Sequence, residues 1–465
     1  MKRIIIVGGG TAGWLTALYV QQHIPYCQIK VIASSKIGIL GAGEGTSRNF
    51  IPFIRDVLKI NTSDFFVNCR ATIKNALKFT NWNNDGKFYF HTLGSNEPND
   101  LSLSATLDNR VMHDYNGNRL ADDGLHFDAQ LVAKHLEKIG LSRGITLIDD
   151  IIEEIETDNK NNISAFKLTS GNRVKTDFVF DCSGFKRLII GNFYKTKWHS
   201  YEDILPLDRS IPFFIPNDGI DGEDLPPYTE CISMKHGWMW KIPVQGRYGC
   251  GYSFDSRFAS DDEIKEELKN YLGYEITNPT VFSYKTGCYE KAWVNNCIAI
   301  GLASGFVEPL EGTSIGTTVQ GLLLLDNKKE GMLNNPKLNL IDAYNHALRH
   351  CNEEISNFIH LHYLAKRSDT EFWRQFKEKN KTPEFIKNLI SFGEKLNEKD
   401  LDYLLKVMPT KKVSDQIDTF DFNSWKRILT GTELQKNWEP IKVDVSHLQK
   451  HNEFLRSQYD TQNRN

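Results

Sequence analysis

The sequence predicts an α/β fold: a parallel-sheet module assembled from separated pieces of chain, a β-rich lobe inserted into it, and a helical lobe after it. Three observations predict this. The chain opens on an apolar strand, Ile4–Val7, which runs into a glycine turn and then a helical pattern. Short apolar stretches at Phe178–Asp181 and Cys297–Ile300 read as strands covered on both faces, as parallel strands are. From Pro336 onward the pattern is helical, charged and rich in Lys and Glu.

Composition bounds the rest. At 465 residues the chain is long enough for about two to four lobes. A net charge of −3 and a pI near 6.5 give no electrostatic case for nucleic acid or for an anionic membrane surface. No apolar run approaches the length of a membrane span. The start, Met1-Lys2-Arg3 followed by Ile4–Val7, is basic and then apolar, as in a signal peptide. The apolar run breaks at Gly8-Gly9-Gly10, so it reads as a strand. Eight scattered cysteines, with no Cys-x-x-Cys and no His/Cys cluster, fit reduced thiols and no metal site. The expectation is a soluble cytoplasmic protein.

In order along the chain, Ile4–Val7, Gly8–Gly13, Trp14–His23 and Gln28–Ala33 make a strand, turn, helix and strand of βαβ length. A second glycine turn spans Gly41-Ala42-Gly43-Glu44-Gly45-Thr46, with Thr46 or Ser47 able to cap a helix after it. Residues 65–90 read as strand-rich. A helix is expected from Asp128 to Ile139, with Leu131, Val132, His135 and Leu136 at helical spacing. Strands recur at Ile145–Ile148, Ile163–Thr169 and Phe178–Asp181. Between Asn192 and Thr286 the reading is β-rich, and a helix is expected over Thr317–Leu325. The sheet module would thus draw on about 1–60, 125–190 and 290–335, the inserted lobe on about 61–124 and 191–289, and the helical lobe on 336–465. Gln462–Asn465 reads as a frayed tail.

Several stretches carry chemistry. Gly8-x-Gly10-x-x-Gly13 follows a strand and opens a helix, where backbone N–H groups at the positive helix end can meet a pyrophosphate. The acid expected about 20 residues on is absent at Ala33-Ser34-Ser35, so Ser34 or backbone groups would have to serve. Thr176–Gly184 is a strand running into a small-residue turn of the kind that returns beside the first strand in two-piece flavin domains, which favours FAD over NAD. Glu308 and Glu311 sit on a loop ahead of Thr313 and Ser314, whose N–H groups would favour an anion. Glu311 reads equally as a helix-terminus acid or as a carboxylate offered to substrate. In Arg70–Trp82, strand register puts Ile73, Leu77 and Phe79 on one face and Lys74, Lys78 and Trp82 on the other; period alone makes Lys74 a solvated lysine. Trp238 and Trp240, two apart in a strand-like stretch closed by Pro243, make one wall of indoles that reads as core.

Together these stretches resemble the flavin-dependent tryptophan halogenase family. The matching pieces are Gly8–Trp14, Gly41–Glu44, Ala71–Lys74, His126–Ala129, Asp181–Phe185, Trp238-x-Trp240-x-Ile242-Pro243, Phe306–Glu311, and His362-Tyr363 followed by Phe372-Trp373. They run in order from residue 1 to about 375. The resemblance implies an FAD-binding, Rossmann-like module of the p-hydroxybenzoate-hydroxylase type. It implies that reduced FAD, supplied by a separate flavin reductase, yields hypohalous acid from O2 and a halide ion. That oxidant would pass to a second pocket for electrophilic halogenation of an aromatic substrate. By motif position Lys74 would deliver the oxidant and Glu311 would stand beside the reacting carbon. Thr313 and Ser314 match the halide-binding pair. Gly8, Gly10, Thr11, Ala12, Gly13, Trp14, Ser34, Gly43, Glu44, Gly45, Ile152, Leu302 and Ile315 match cofactor-contacting positions. Trp238 and Trp240 become the barrier between flavin and substrate.

The chain also departs from the family pattern. Gly312-Thr313-Ser314 stands where Ser-Thr-Gly or Ser-Thr-Ser is usual, which would alter halide preference toward a larger ion; competition among chloride, bromide and iodide tests it. No Tyr-Tyr pair is found in the C-terminal lobe, only Phe422, Trp425 and Tyr459. A different indole or a phenol is therefore as good an expectation as free tryptophan. Two rival readings stay open: a flavin monooxygenase that hydroxylates its substrate, and a non-catalytic protein that binds flavin or an aromatic ligand. The reading admits a homo-oligomer and calls for no nucleic acid or membrane partner.

Overall fold

The computed structural model describes residues 1–24, 26–38, 44–93, 124–217, 225–277, 279–326, 338–393 and 420–435, without the side chains of Glu44, Phe422 and residues 392–393. Gly41, Ala42, Gly43, Tyr459 and the tail Gln462–Asn465 lie outside these residues.

The first strand, Lys2–Val7, is covered on both sides by parallel partners, Cys27–Ala33 and Phe178–Asp181, and Ile4, Ile5 and Ile6 are wholly buried. The full sheet has six strands in the order Trp293–Val294, Cys297–Ala299, Phe178–Asp181, Lys2–Val7, Cys27–Ala33, Thr146–Asp149. All pairs are parallel except the antiparallel edge strand Trp293–Val294. Helix Ala129–Ser142 begins one residue after its expected start, because Asp128 is the N-cap and accepts the N–H groups of Gln130 and Leu131. It packs on helix Thr11–His23 at Gly140, where a Cβ would stand 2.6 Å from the Trp14 ring.

A second sheet has seven strands: Phe282–Ser283, Arg209–Pro216, Arg247–Phe254, Gly237–Val244, Tyr228–Met234, Ala76–Thr80 and Phe88–Thr92 in that order. The pair Tyr228–Met234/Ala76–Thr80 is parallel. A small third sheet holds Glu44–Gly45, Gly124–Phe127 and Thr72–Lys74.

Five expectations are corrected, the last at Pro243. Helix Thr62–Asn68, capped by Asn61, occupies the start of the stretch read as strand-rich, and strand begins at Thr72. Helix Asp261–Leu272 interrupts the β-rich region, held by a reciprocal capping box between Ser260 and Glu263. The helix expected at Thr317 starts at Thr313, since Thr317 and Thr318 send their hydroxyls back to the Ser314 carbonyl as interior residues do. The strand register through Arg70–Trp82 also fails. The strand breaks at Asn75, so Thr72–Lys74 belongs to the small sheet and Ala76–Thr80 to the large one. Ile73 then packs with the parallel-sheet core and Leu77 and Phe79 with the tryptophan core, while Lys74 is wholly buried rather than solvated.

Pro243 closes only one side of its strand. The ladder to Tyr228–Met234 ends at Lys241, whereas pairing with Arg247–Phe254 continues to Val244. Helices Leu338–Tyr363, Glu371–Lys379, Glu384–Gly393 and Phe422–Gly431 complete the described chain. Among the described residues no helix is long and apolar enough to cross a membrane. None of the eight cysteines forms a disulfide.

Candidate active site

The glycine turn is closely packed on one side. At Gly8, φ is +118° and a Cβ would lie 2.2 Å from the Cys182 carbonyl oxygen; at Gly13 it would lie 1.9 Å from that of Gly8. A Cβ at Gly10 meets nothing within 4 Å, so the turn is packed from below and open above. Helix Thr11–His23 has no side-chain cap at Gly10. Its first N–H groups, at Thr11, Ala12 and Gly13, have no partner within the helix and can serve a phosphate. Trp14 is different. Its N–H bonds to Gly10 O at 3.1 Å and its ring is buried.

At the end of the next strand, Ser34 is half-buried and its hydroxyl accepts the Lys36 N–H at 3.3 Å. An acid does stand here, drawn from a different strand: Asp149 Oδ1 accepts the Ser35 N–H at 2.8 Å. The fingerprint's spacing rule searched only the first βαβ unit and missed it. Ile152 follows closely, two residues after Asp150, whose N–H bonds to Ala33 O. Leu302 is half-buried on the short turn Gly301–Ala303. A Cβ at neighbouring Gly301 would lie 3.0 Å from both the Ala12 Cβ and the Thr318 hydroxyl, so this turn lies between two helices. The second of these, Thr313–Leu323, starts from Gly312 with no side-chain cap and buries Ile315. The first N–H groups, with Thr313 and Ser314 leading, face no intrahelical acceptor.

Lys74 ends in a slot between two glycines. Its Nζ would be 3.3 Å from a Cβ at Gly45 and 3.3 Å from one at Gly312. It donates to Glu311 O at 3.4 Å. Burial lowers the amine's pKa, opposed by the charges of Glu311 and Cys231. His126, wholly buried beside it, is pushed well below its usual range by burial and then by the lysine charge. Thr72 donates to Pro243 O at 2.6 Å, so His126 Nδ1–H donates to Thr72 Oγ1 at 3.3 Å and its Nε2 accepts from Thr229 at 2.8 Å.

Glu311 is left-handed at φ 68°, an unusual region for a non-glycine residue. Its carboxylate turns to two histidines: His91 Nδ1 is 2.8 Å from Oε2 and His362 Nε2 is 3.0 Å from Oε1. Burial raises the carboxyl's pKa, but the two imidazoles outweigh it and hold the group well below the usual carboxylate range. Three residues earlier Glu308 has no such partners. Burial pushes it up to about 8, opposed by the Tyr363 hydroxyl, which donates to Oε1 at 2.8 Å, and by the Trp238 indole.

Trp238 and Trp240 are buried with ring centroids 5.8 Å apart and planes tilted by 55°. They share a core with Phe79, Trp82, Phe306 and Tyr363. A cavity of about 60 Å³ reaches Glu311, Gly312, Thr313 and His91. Its lining also includes Arg48 and Asp421, 3.8 Å apart, the latter being the N-cap of helix Phe422–Gly431. Trp425 does not line this cavity; it packs edge-on to Phe358, centroids 4.9 Å apart.

The family model described as tryptophan halogenase matches residues 3–106 and 99–446. Tryptophan 7-halogenase RebH of Lentzea aerocolonigenes is 31% identical, across 81% of this chain and 79% of RebH. The chain belongs to the tryptophan halogenase family. Its fold is that of solved flavin-dependent halogenases over nearly its full length. The tryptophan 6-halogenase SttH of Streptomyces toxytricini superimposes with TM-score 0.84 at 26% identity, covering 98% of this chain and 96% of SttH. The flavin-dependent halogenase BrvH of Brevundimonas sp. BAL3 gives TM-score 0.80 at 27% identity, covering 98% and 95%. This halogenase is therefore an enzyme of the reduced-flavin class.

The residues fit a dinucleotide of that kind: the open Gly10 turn, two helices whose starts lack side-chain caps, and Gly301 between them. Sequence reasoning on the halogenase had no role for His91 or His362. They lie 220 and 51 residues from Glu311 in the chain, and of the two only His362 falls in a piece that matches the family.

Proposed function

We propose that the chain halogenates an aromatic ring of the indole or phenol type, with Lys74 presenting a hypohalous oxidant to a substrate in the cavity beside Glu311. Reduced FAD, reloaded by a separate reductase, would supply the electrons that turn O2 and halide into that oxidant. The observation that carries the reading is Lys74 itself. It is a buried lysine whose Nζ meets a carbonyl rather than a carboxylate and is flanked by Gly45 and Gly312. A desolvated amine is more often neutral than a solvated one, so it can donate a hydrogen bond to a hypohalous oxygen or take up the halogen.

We assign the pyrophosphate to the N–H groups of Thr11, Ala12 and Gly13 above Gly8 and Gly10, with Trp14 stiffening the helix from within the core. Ser34 and Ile152 would flank the adenosine end. Gly43, Glu44, Gly45, Leu302 and Ile315 would flank the flavin end, and Thr313 and Ser314 would hold the halide. Trp238 and Trp240 would keep organic substrate from the flavin by being tightly packed. Glu311 would stabilise positive charge on the ring and help remove its proton. RebH and SttH are named for tryptophan.

A panel of indoles and phenols, with reduced FAD and each halide in turn, read by mass spectrometry, tests this. The expected result is a halogen mass shift in wild type that Lys74→Ala loses, with FAD still raising the variant's melting temperature. Hydroxylated product independent of halide would instead support a monooxygenase. An unchanged Lys74→Ala would remove the lysine from the mechanism.

A further inference from the structure

The pair His362-Tyr363 marked the sequence as family-like but was given no role. Both side chains grip the loop that carries Glu311. His362 and Tyr363 end helix Leu338–Tyr363, and both are wholly buried. Tyr363 donates to Glu308 Oε1 at 2.8 Å, and His362 Nε2 meets Glu311 Oε1 at 3.0 Å. Two adjacent residues of one helix thus hold both carboxyls of Glu308-Pro309-Leu310-Glu311.

The geometry around His362 counts its protons. Nδ1 lies 2.9 Å from Phe358 O, which can only accept, so Nδ1 carries a hydrogen. The contact between Nε2 and Glu311 Oε1 is then a hydrogen bond bridged by a single proton. The ring is surrounded by Phe79, Trp82 and Phe358, with centroids at 4.7, 6.1 and 5.2 Å. The other polar groups near the Glu311 carboxylate come from three strands: His91 and Tyr89, Lys74, and Cys231. The backbone completes the picture. Glu311 and Gly312 are both left-handed, at φ 68° and 67°. In a non-glycine residue that conformation persists only where the surroundings over-determine it. With the carboxylate fixed at His362 and His91, the Glu311 carbonyl faces Lys74 Nζ.

We infer that His362 is a positioning residue of this site: by holding the Glu311 carboxylate it keeps the residue left-handed, so that carbonyl and carboxylate are set for lysine and substrate respectively. Tyr363 steadies the other end of the same turn through Glu308. The inference rests on the reading of Glu311 as the carboxylate beside the reacting carbon. Lys74 and Glu311 were assigned by motif position; what is added is the part that orients them.

The test compares His362→Gln with His362→Leu. Gln keeps an N–H donor near the Nε2 position, and Leu suits the surrounding aromatic rings. If His362 positions Glu311, Leu lowers kcat by about 100-fold with KM little changed, as an ångström-scale misplacement does, and Gln recovers most of the loss. If His362 merely fills core, the order reverses, with Leu the more active, and the inference is overturned. In a double-mutant cycle, His362→Leu/Glu311→Gln should be no slower than Glu311→Gln alone; additive losses would also overturn it. A substrate-free arm uses protein with 15N-labelled histidine. The ring signals missing from His362→Gln should shift in Glu311→Gln, and unmoved signals would overturn the inference even if His362→Leu fails to fold. If wild type halogenates nothing in the panel while those signals do shift, the substrate reading fails and the positioning contact stands.

Discussion

A carboxyl group with no water around it must find a cation or keep its proton, and Glu308 keeps its proton. Glu311, three residues away and equally enclosed, is ionised because two imidazoles face it. One short loop therefore holds two acids in opposite states, the arrangement from which acid and base roles are drawn. The Glu308 side has a thermodynamic signature. Unfolded, its carboxyl titrates near 4.5; folded, near 8. Between those values the folded chain holds the extra proton, so stability falls as pH rises through the window, by about 1.4 kcal/mol per pH unit, and levels off above it. Glu308→Gln keeps the acceptor for Tyr363 and removes the slope. Its melting temperature, relative to wild type, should climb from pH 5 to 8 in thermal scans; parallel curves would locate the proton elsewhere. None of this is visible in sequence, where the two glutamates look alike. Lys74 was recognisable from Ala71-Thr72-Ile73-Lys74 but misjudged by strand period, because one residue, Asn75, moves the chain from one sheet to another.

Among elements, the tryptophan strand depends on its neighbour. Trp240 pairs with Gly251 across the ladder, and a Cβ at Gly251 would lie 2.0 Å from the indole. The ring occupies the space that glycine vacates. Gly251→Ala should push Trp240 off its seat at a cost of about 1–3 kcal/mol, with a changed near-ultraviolet circular dichroism spectrum. A variant matching wild type in both would mean that the wall tolerates displacement. The indole pair was legible from its i, i+2 spacing; the glycine beneath it was not, since register between strands is a tertiary property. The helix Asp261–Leu272 is the reverse case. Its Ser260-x-x-Glu263 signature was present in the sequence but was outweighed by the aromatic alternation on either side.

At the scale of the whole molecule, the parallel sheet was legible because its central strands carry runs of buried apolar residues, Ile4–Ile6 and Phe178–Phe180, and the first ends in a glycine turn. The candidate site was only partly so, since it gathers side chains from stretches around residues 74, 91, 311 and 362. Helix Leu338–Tyr363 helps to bring them together. Near its start, Asn345 brackets the edge strand, accepting the Trp293 N–H at 2.7 Å and donating to its carbonyl at 3.0 Å. Tyr344 bonds to Gly321 O at 3.1 Å, on the helix that begins at Thr313. At its other end stands His362. The two anchors are about 26 Å apart along the axis and fixed in angle as well as distance, because each residue turns the helix by about 100° and lifts it 1.5 Å. The helix is thus a ruler with a phase. An alanine inserted between Asn345 and His362 should swing the imidazole away from Glu311 and abolish turnover, while the same insertion after Lys379, beyond both anchors, should leave it intact. Seven inserted residues bring the angle back to within about 20° but lengthen the ruler by about 10 Å, so the angle is never regained without a change of length. Length between these anchors is the quantity this fold cannot vary.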